Sequence, residues 1–134
     1  MIYLDPTALM KLIDEAPESA ALTAYLSAHT DTRWITCALS RVELLRAVAA
    51  LPKEATGHAH HVLAGLDTVA VTERLLDAAV ALNPSPARTV DALHIAAALS
   101  AGPRLRTLVT YDPELAGAAA GHHITTVSPG GGSP

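Results

Sequence analysis

The sequence predicts an α/β fold with a mainly parallel β-sheet. Short apolar segments alternate with longer helical segments along the chain, as expected when crossover helices connect parallel strands. The length of 134 residues fits one compact domain, and a hydrophobic content of 50% can supply its core. One helical segment, residues 90–99, is apolar nearly all round, which indicates a position in the interior.

The first elements are predicted from the N-terminal segment. Ile2–Leu4 has the composition of a short strand. Asp5 directly after it is a good helix N-cap, and Pro6 fits the first helical position, where a backbone N–H is not needed. This helix is expected to end before Pro17, and residues 18–29 predict a second helix with an apolar stripe.

The middle of the chain continues the alternation. Aromatic and β-branched residues over 33–37 predict the second strand. Ser40, with Glu43 three residues later, has the spacing of a capping box and predicts the N-cap of a helix that ends before Pro52. Further helices are predicted over residues 53–66 and 73–82, the second capped by Thr72, and further strands over residues 69–71, 107–110 and 124–127.

The helix predicted over residues 90–99 contains one acid, Asp91, in its first turn, with Thr89 as a candidate cap. Burying an ionised carboxylate without a partner is very costly. Asp91 therefore requires compensation from a helix N-terminus, a cation or a bound metal ion. Gly102 and Pro103 follow this helix and form an ordinary stop signal.

We expect a single domain over residues 1–127 and a flexible, Gly-rich tail over residues 128–134. The formal net charge of -4 argues against a nucleic-acid binder that acts only through a basic surface. Cys37 is the only cysteine, so the chain cannot form an internal disulfide. The N-terminus lacks a signal-peptide pattern and no apolar run could span a membrane, so we expect a cytoplasmic protein with no membrane partner.

Four acids stand out because of their places in the predicted elements. Asp5 and Asp112 each follow a strand directly, Asp91 begins the buried helix, and Glu43 lies in the helix after the second strand. Each alone has a structural explanation, as an N-cap, a dipole partner or part of a capping box. The carboxyl ends of parallel strands share one edge of the sheet, so Asp5 and Asp112 are expected to lie together there.

Clustered carboxylates repel one another, which raises their pKa values or recruits a cation. Mg²⁺ and Mn²⁺ prefer carboxylate oxygens, and such ions polarise a phosphate and activate water for hydrolysis. The hydroxyls of Thr7, Ser40 and Thr110 are candidates to orient ligands or water at the same site. The sequence therefore favours a phosphate-hydrolysing metal site.

Four segments around these acids resemble the signature blocks of PIN-domain ribonucleases, and more narrowly those of the VapC toxins of bacterial toxin–antitoxin pairs. They occur in the family's order and span nearly the whole chain. Pro6 is a departure, because it stands where the family often has Thr or Ser. The blocks are Asp5 with Thr7, Ser40-Arg41-Val42-Glu43-Leu44-Leu45-Arg46, Asp91-Ala92-Leu93-His94-Ile95-Ala96, and Thr110-Tyr111-Asp112.

The resemblance implies a three-layer α/β/α sandwich and a metal-dependent endoribonuclease, the toxic component of a type II toxin–antitoxin system. It assigns both catalysis and the binding of Mg²⁺ or Mn²⁺ to Asp5, Glu43, Asp91 and Asp112. It also implies an RNA substrate, a cognate VapB-type antitoxin and a homodimer.

Three arginines flank the acidic blocks: Arg41, Arg46 and Arg88. Each is a candidate for a bidentate contact to an RNA phosphate, and each is equally consistent with an ordinary surface or ion-pairing arginine. The sequence leaves these alternatives open.

Histidines offer a second set of candidate ligands. His94 lies three residues after Asp91, so the two are neighbours on one helix. A hydrogen-bonded structural role for His94 is favoured over metal ligation. The group formed by His58, His60 and His61 is interpreted as a solvated helix face because no acid or cysteine ligand accompanies it at standard spacing.

Two other classes of protein remain as alternatives. A receiver-type signalling domain is also α/β with clustered acids, but it needs a late lysine near them, and the only lysines here are Lys11 and Lys53. A PIN-like module that binds without catalysis is the other alternative, and the four intact acids argue against it.

Overall fold

A computed structural model describes residues 1–131. Within residues 1–131 the first and last elements are strands, as predicted, and one 3₁₀ turn, Gly102–Arg104, precedes the fourth strand. The strands are β1 (Ile2–Leu4), β2 (Trp34–Cys37), β3 (Asp67–Val69), β4 (Thr107–Val109) and β5 (Thr126–Val127), and the helices are α1 (Pro6–Lys11), α2 (Ser19–Ser27), α3 (Ala38–Val48), α4 (Glu54–Ala64), α5 (Glu73–Val80), α6 (Thr89–Leu99) and α7 (Pro113–Ala120).

The strands form one sheet in the order β3-β2-β1-β4-β5, and every pairing is parallel. β1 lies at the centre, where Ile2 pairs with both Trp34 of β2 and Thr107 of β4. All three residues of β1 are buried, as expected for a strand covered on both faces. The predicted parallel α/β fold is confirmed.

Alternation along β1 divides the core between two helical layers. Ile2 and Leu4 pack in a cluster with buried residues of α1, α2, α3 and α4. Tyr3 points the other way and packs with buried residues of α5, α6 and α7. This period of two, repeated in β4 by Leu108 and Val109, places one layer on each face of the sheet. The predicted three-layer α/β/α arrangement is confirmed.

α6 is the buried helix predicted from residues 90–99. Six of its residues are buried, among them Asp91 and His94 as well as Ile95. The helix starts one residue earlier than predicted, with Arg88 in the extended N-cap position, so Thr89 is inside the helix and is not its cap.

The predicted capping box at Ser40 is wrong. α3 continues directly from β2, with Cys37 as its N-cap, so Ser40 lies inside the first turn of the helix. The Ser40 hydroxyl instead lies 2.6 Å from that of Thr36, and Glu43 reaches across to another helix. The S-x-x-E spacing is the same at an N-cap and one turn inside a helix, so the pattern alone could not separate them.

Two strands also differ from prediction. β3 pairs through Asp67 to Val69, opposite Ile35 to Cys37, and pairing stops where β2 passes into α3. Val71, predicted within this strand, is exposed beyond it. β5 is likewise shorter, because only Thr126 and Val127 pair with β4.

The described part of the segment after β5, residues 128–131, contacts the rest of the domain. The Ser128 hydroxyl donates to Thr110 O at 2.5 Å, and the Tyr111 hydroxyl donates to Pro129 O at 2.7 Å. Residues 132–134 lie outside the described residues, so the domain boundary and the flexible tail remain predictions. Within residues 1–131, no helix has the length and apolar character needed to cross a membrane.

Candidate active site

The carboxylate of Asp5 is buried at the carboxyl end of β1, with 2% of the residue exposed. It caps α1 by accepting from the Ala8 N–H at 3.0 Å. Two hydroxyls also donate to it, Thr7 to Oδ1 and Thr110 to Oδ2, each at 2.7 Å. All three donors are neutral. Burial raises the pKa of Asp5, and these hydrogen bonds oppose the rise only in part.

Thr110 connects Asp5 to the next acid. It is fully buried just after β4, and its hydroxyl oxygen accepts from the Asp112 N–H at 3.0 Å. The side chain of Asp112 in turn caps α7 by accepting from the Glu114 N–H at 3.0 Å. Thr110 therefore contacts both the carboxylate of Asp5 and the backbone of Asp112, which places the two strand-end acids at the same edge of the sheet.

Arg88 joins Asp112 to Asp91 across the start of α6. Its guanidinium donates to both carboxylate oxygens of Asp91, from Nε at 2.7 Å and from Nη2 at 2.9 Å. Nη2 also donates to Oδ2 of Asp112, and Nε lies 3.1 Å from Oε2 of Glu114. Asp91 thus has the compensating charge that its burial requires.

The pKa values of Asp5 and Asp112, the two acids that follow strands, are shifted in opposite directions. Burial acts to raise the pKa of Asp112, but hydrogen bonds from Arg88 and the Glu114 N–H outweigh it and leave this pKa lowered. Asp5 has no guanidinium among its donors, and its pKa is raised. Of these two acids, Asp5 is therefore the one whose negative charge is less compensated by its surroundings.

Glu43 approaches from the other helical layer. Its Oε1 lies 2.8 Å from Nε2 of His94, which is buried on α6 one turn after Asp91. Nδ1 of the same ring lies 2.6 Å from the hydroxyl of Tyr3 in β1. Glu43 keeps about a third of its side chain exposed, at 32%.

Contacts therefore link all four predicted acids at one edge of the sheet. Asp5 connects through Thr110 to Asp112, Asp112 through Arg88 to Asp91, and α6 carries the connection on to Glu43. Within residues 1–131, no three His, Cys, Asp or Glu side chains form a preassembled metal-binding group. The donor chemistry fits a hard cation, since the set is carboxylate oxygens with neighbouring hydroxyls. The site also attracts a cation in this structure, because it holds the guanidinium of Arg88.

The other predicted site residues occupy different places. Thr7 lies at the site, where its hydroxyl also accepts from the Tyr111 N–H at 2.9 Å. Ser40 is buried behind the site against Thr36. Arg41 and Arg46 are exposed on α3, the helix that carries Glu43.

Two features of the site carried no local sequence signal. The contact of Tyr3 with His94 joins residues 91 positions apart. A cleft beside Asp112 is also lined by Lys11 and Tyr111, with Lys11 Nζ 4.7 Å above the tyrosine ring. His58, His60 and His61 are exposed on α4, as their interpretation as a solvated face predicts.

Comparisons with known proteins show which family and which proteins this chain is similar to. The PIN domain family model matches residues 2–121. The ribonuclease VapC35 of Mycobacterium tuberculosis is 43% identical over 133 residues, covering 97% of this chain and 98% of the relative.

Solved structures show the same fold at lower identity. The toxin VapC20 of Mycobacterium tuberculosis, described as cleaving the sarcin–ricin loop, superposes with a TM-score of 0.74 at 17% identity, covering 96% of this chain and 100% of that one. VapBC2 of Rickettsia felis, solved bound to a DNA fragment from its promoter, gives a TM-score of 0.72 at 16% identity, covering 95% of this chain and 98% of that one.

Proposed function

The chain belongs to the PIN-domain family, and on that premise we propose that it is a toxin ribonuclease that cleaves RNA internally with the help of Mg²⁺ or Mn²⁺. Its full-length similarity to a VapC ribonuclease supports the ribonuclease activity. The metal dependence and the roles of individual residues rest on the site itself.

One observation carries the metal proposal. Asp91 and Asp112 hold one guanidinium between them, while Asp5 lies buried one threonine away with only neutral donors. Such a site has more negative charge than its own cation compensates. Positive charge supplied from solution would lower the free energy of this arrangement.

Asp5, Asp91 and Asp112, with Glu43 from α3, would hold the divalent cation. When bound, the cation supplies electrostatic stabilisation for the attack of water on a phosphodiester. The protein contributes orientation, because Thr7 and Thr110 restrain both oxygens of Asp5. These hydroxyls keep the carboxylate in one rotamer before any ligand arrives, which limits the ordering cost of binding.

Arg88 has a second role in this proposal. Its side chain is 39% exposed at the start of α6, and in this proposal it leaves the two carboxylates when the cation binds. A guanidinium released beside the acids is suited to bidentate contact with an RNA phosphate. Arg41 and Arg46, exposed on the helix that carries Glu43, would extend this positive charge along the bound strand.

The partners follow from the relatives. We propose a VapB-type antitoxin as partner, since one structural neighbour is a VapBC complex. We also propose a homodimer, as the family resemblance implies. From composition, the Ala- and Leu-rich helical segments 18–29 and 53–66 are the predicted dimer surface, because one small core does not fully bury them. The structure has its most exposed large apolar side chains elsewhere, including Leu76 and Val80 on α5. Sedimentation of the purified chain over a range of concentrations measures the dimer directly.

The test of the metal-dependent activity is cleavage of a defined RNA with Mn²⁺, with Mg²⁺ and in excess chelator. We expect cleavage only with the metals and a calorimetric Mn²⁺ site in the same preparation. Cleavage that persists undiminished in chelator would rule out the metal mechanism while leaving the ribonuclease assignment in place.

The toxin role is tested in cells. Induced expression should arrest growth, and mapping of RNA ends after induction should show discrete internal cuts. Co-expression of the product of the adjacent gene should relieve the arrest. Arrest without new RNA ends would contradict the proposed function.

A further inference from the structure

A chain of hydrogen bonds runs through the interior to Glu43. The Cys37 N–H, at the end of β2, donates to the Tyr3 hydroxyl oxygen at 3.2 Å. That hydroxyl lies 2.6 Å from Nδ1 of His94, and Nε2 of the same ring lies 2.8 Å from Oε1 of Glu43. These hydrogen bonds lead from the sheet to α6, and from α6 to α3 in the opposite helical layer.

The direction of each hydrogen bond follows from the donors available. The backbone N–H of Cys37 can only donate, so the Tyr3 oxygen accepts there. The phenol has one hydrogen to donate, and Nδ1 of His94 is the acceptor within hydrogen-bond distance of it. An imidazole that accepts at Nδ1 carries its own hydrogen on Nε2, and that hydrogen is directed at the Glu43 carboxylate.

We propose that His94 is a positioning residue that holds the Glu43 carboxylate in place for the divalent cation, with its ring hydrogen directed at Glu43 by the contact with Tyr3. This inference rests on the proposed function, because it takes Glu43 as part of the metal site. A hydrogen bond of this kind lowers the cost of ordering the Glu43 side chain, about a third of which is exposed.

The same contacts exclude His94 as a ligand in its present position. Both ring nitrogens already have partners, and only 2% of the residue is exposed. Supporting residues of this type typically change metal affinity ~10–100-fold when they are lost. The sequence offered Asp91 and His94, three residues apart, as a candidate pair of metal ligands. In the structure His94 instead belongs to a buried hydrogen-bonded series, Tyr3–His94–Glu43, which we call the relay.

The first measurement is the tautomer of His94 in the metal-free protein. Ring ¹⁵N spectra should show Nε2 protonated and Nδ1 unprotonated. In Tyr3→Phe, which keeps the ring and removes the hydroxyl, this strong preference should be lost. A parent protein with its hydrogen on Nδ1 would overturn the proposed relay, whether or not the protein is a nuclease.

The second measurement is Mn²⁺ affinity, by calorimetry or by the electron spin resonance of free Mn²⁺. His94→Leu should bind Mn²⁺ ~10–100-fold more weakly than the parent. His94→Gln keeps a side-chain N–H near the place of Nε2 and should recover most of the affinity. Glu43→Gln should weaken binding as well, and the double variant with His94→Leu should lose little more, because both changes break one interaction.

Ile95→Val is the matched control, since Ile95 is the buried neighbour of His94 on α6 and has no part in the relay. It should lower thermal stability and leave Mn²⁺ affinity unchanged. Equal affinity in His94→Leu and the parent would overturn the positioning role alone. Absence of Mn²⁺ binding by the parent would instead overturn the proposed metal site, so the two failures are distinguishable.

Discussion

The two ends of the parallel sheet carry similar residues in opposite environments. At the amino end, Arg106 pairs with Asp31 at 2.9 Å and Arg33 pairs with Asp67 at 3.3 Å, and all four side chains are about half exposed or more. At the carboxyl end, Asp5 and Asp91 are almost completely buried. Both ends contain arginine–aspartate contacts, but only one end removes its acids from water.

Burial decides what these charges do. Exposed pairs are screened by water and contribute little to stability. Buried acids cost free energy unless they are paired, and a protein keeps such a group where the charge has a use. This contrast supports the proposal that the carboxyl end holds the functional site, and the amino end provides matched controls for it.

The largest effect is expected from Asp5→Asn. Asn caps α1 about as well as Asp, so the change removes the charge and keeps the cap. It also replaces Oδ2 with an amide N–H₂, to which the Thr110 hydroxyl can serve as acceptor instead of donor. Metal-dependent RNA cleavage should fall by the ~10²–10³-fold that loss of one preorganised electrostatic group costs in enzymes. Asp31→Asn, the same substitution at the amino end, should cleave at the parental rate.

The stability of Asp5→Asn should move in the opposite direction. Because burial raises the Asp5 pKa above its unfolded value, ionisation of Asp5 opposes folding as the pH rises through that range. The variant lacks this opposition, so its metal-free melting temperature at neutral pH should equal or exceed that of the parent. Added Mn²⁺ should stabilise the parent much more than the variant. Parental cleavage by Asp5→Asn would remove Asp5 from the mechanism.

The next effect is expected from Thr110→Val, which keeps the side-chain shape and removes the hydroxyl. Oδ2 of Asp5 loses its donor and the Asp112 N–H loses its acceptor. Leaving buried polar groups unsatisfied costs about 1–3 kcal/mol, measurable by denaturant unfolding. Thr110→Ser retains the hydroxyl and should recover most of the loss. Equal stability of Thr110→Val and Thr110→Ser would mean that the hydroxyl of Thr110 contributes nothing to the free energy of unfolding.

A smaller and more informative change is Arg88→Gln. Without the guanidinium, Asp91 and Asp112 lose their shared positive partner, so the metal-free protein should melt several degrees lower. Mn²⁺ should then raise the melting temperature of the variant by more than that of the parent, because no side-chain cation competes. Arg106→Gln at the amino end should show no Mn²⁺ response beyond that of the parent. A parental response in Arg88→Gln would mean that Arg88 does not occupy the cation's place.

The smallest effect belongs to the amino end. Asp31→Asn should lower the melting temperature by roughly 2 °C or less at neutral pH and low salt, as expected for an exposed pair. The hydrogen bond from Arg106 lowers the Asp31 pKa, so the contribution is present above the unfolded pKa and lost as the pH falls through the folded one. Parent and variant should therefore converge in acid and in high salt. A large difference that survives both would contradict the comparison of the two ends.

The candidate site was predicted in part because several of its signals are local. Asp5 before Pro6 and Asp112 before Pro113 are helix starts after apolar strands, and the structure places both acids where parallel strands end. The aliphatic residues of α6 predicted its burial, and burial in turn required a partner for Asp91. Each of these inferences needs only a few consecutive residues.

The predictions that were wrong concern features that are not set by consecutive residues. Ser40 and Glu43 matched a capping box, but the helix begins where β2 leaves the sheet, which is set by pairing with β1 and β3. Val71 has the composition of a strand residue but lies beyond the last partner that β2 offers. Strand length and helix start depend on neighbours that are distant in sequence.

Helix caps and hydrophobic periodicity are local properties of the chain, and they were enough to predict the alternation of elements, the parallel sheet and the sheet edge that the strand-end acids share. Only the tertiary structure decided which partner each acid has: the Arg88 bridge from Asp91 to Asp112, and the relay from Tyr3 through His94 to Glu43. The physical reason is that a hydrogen bond requires atoms within about 3 Å. Strand register and helix packing bring together residues 24 to 91 positions apart to that distance.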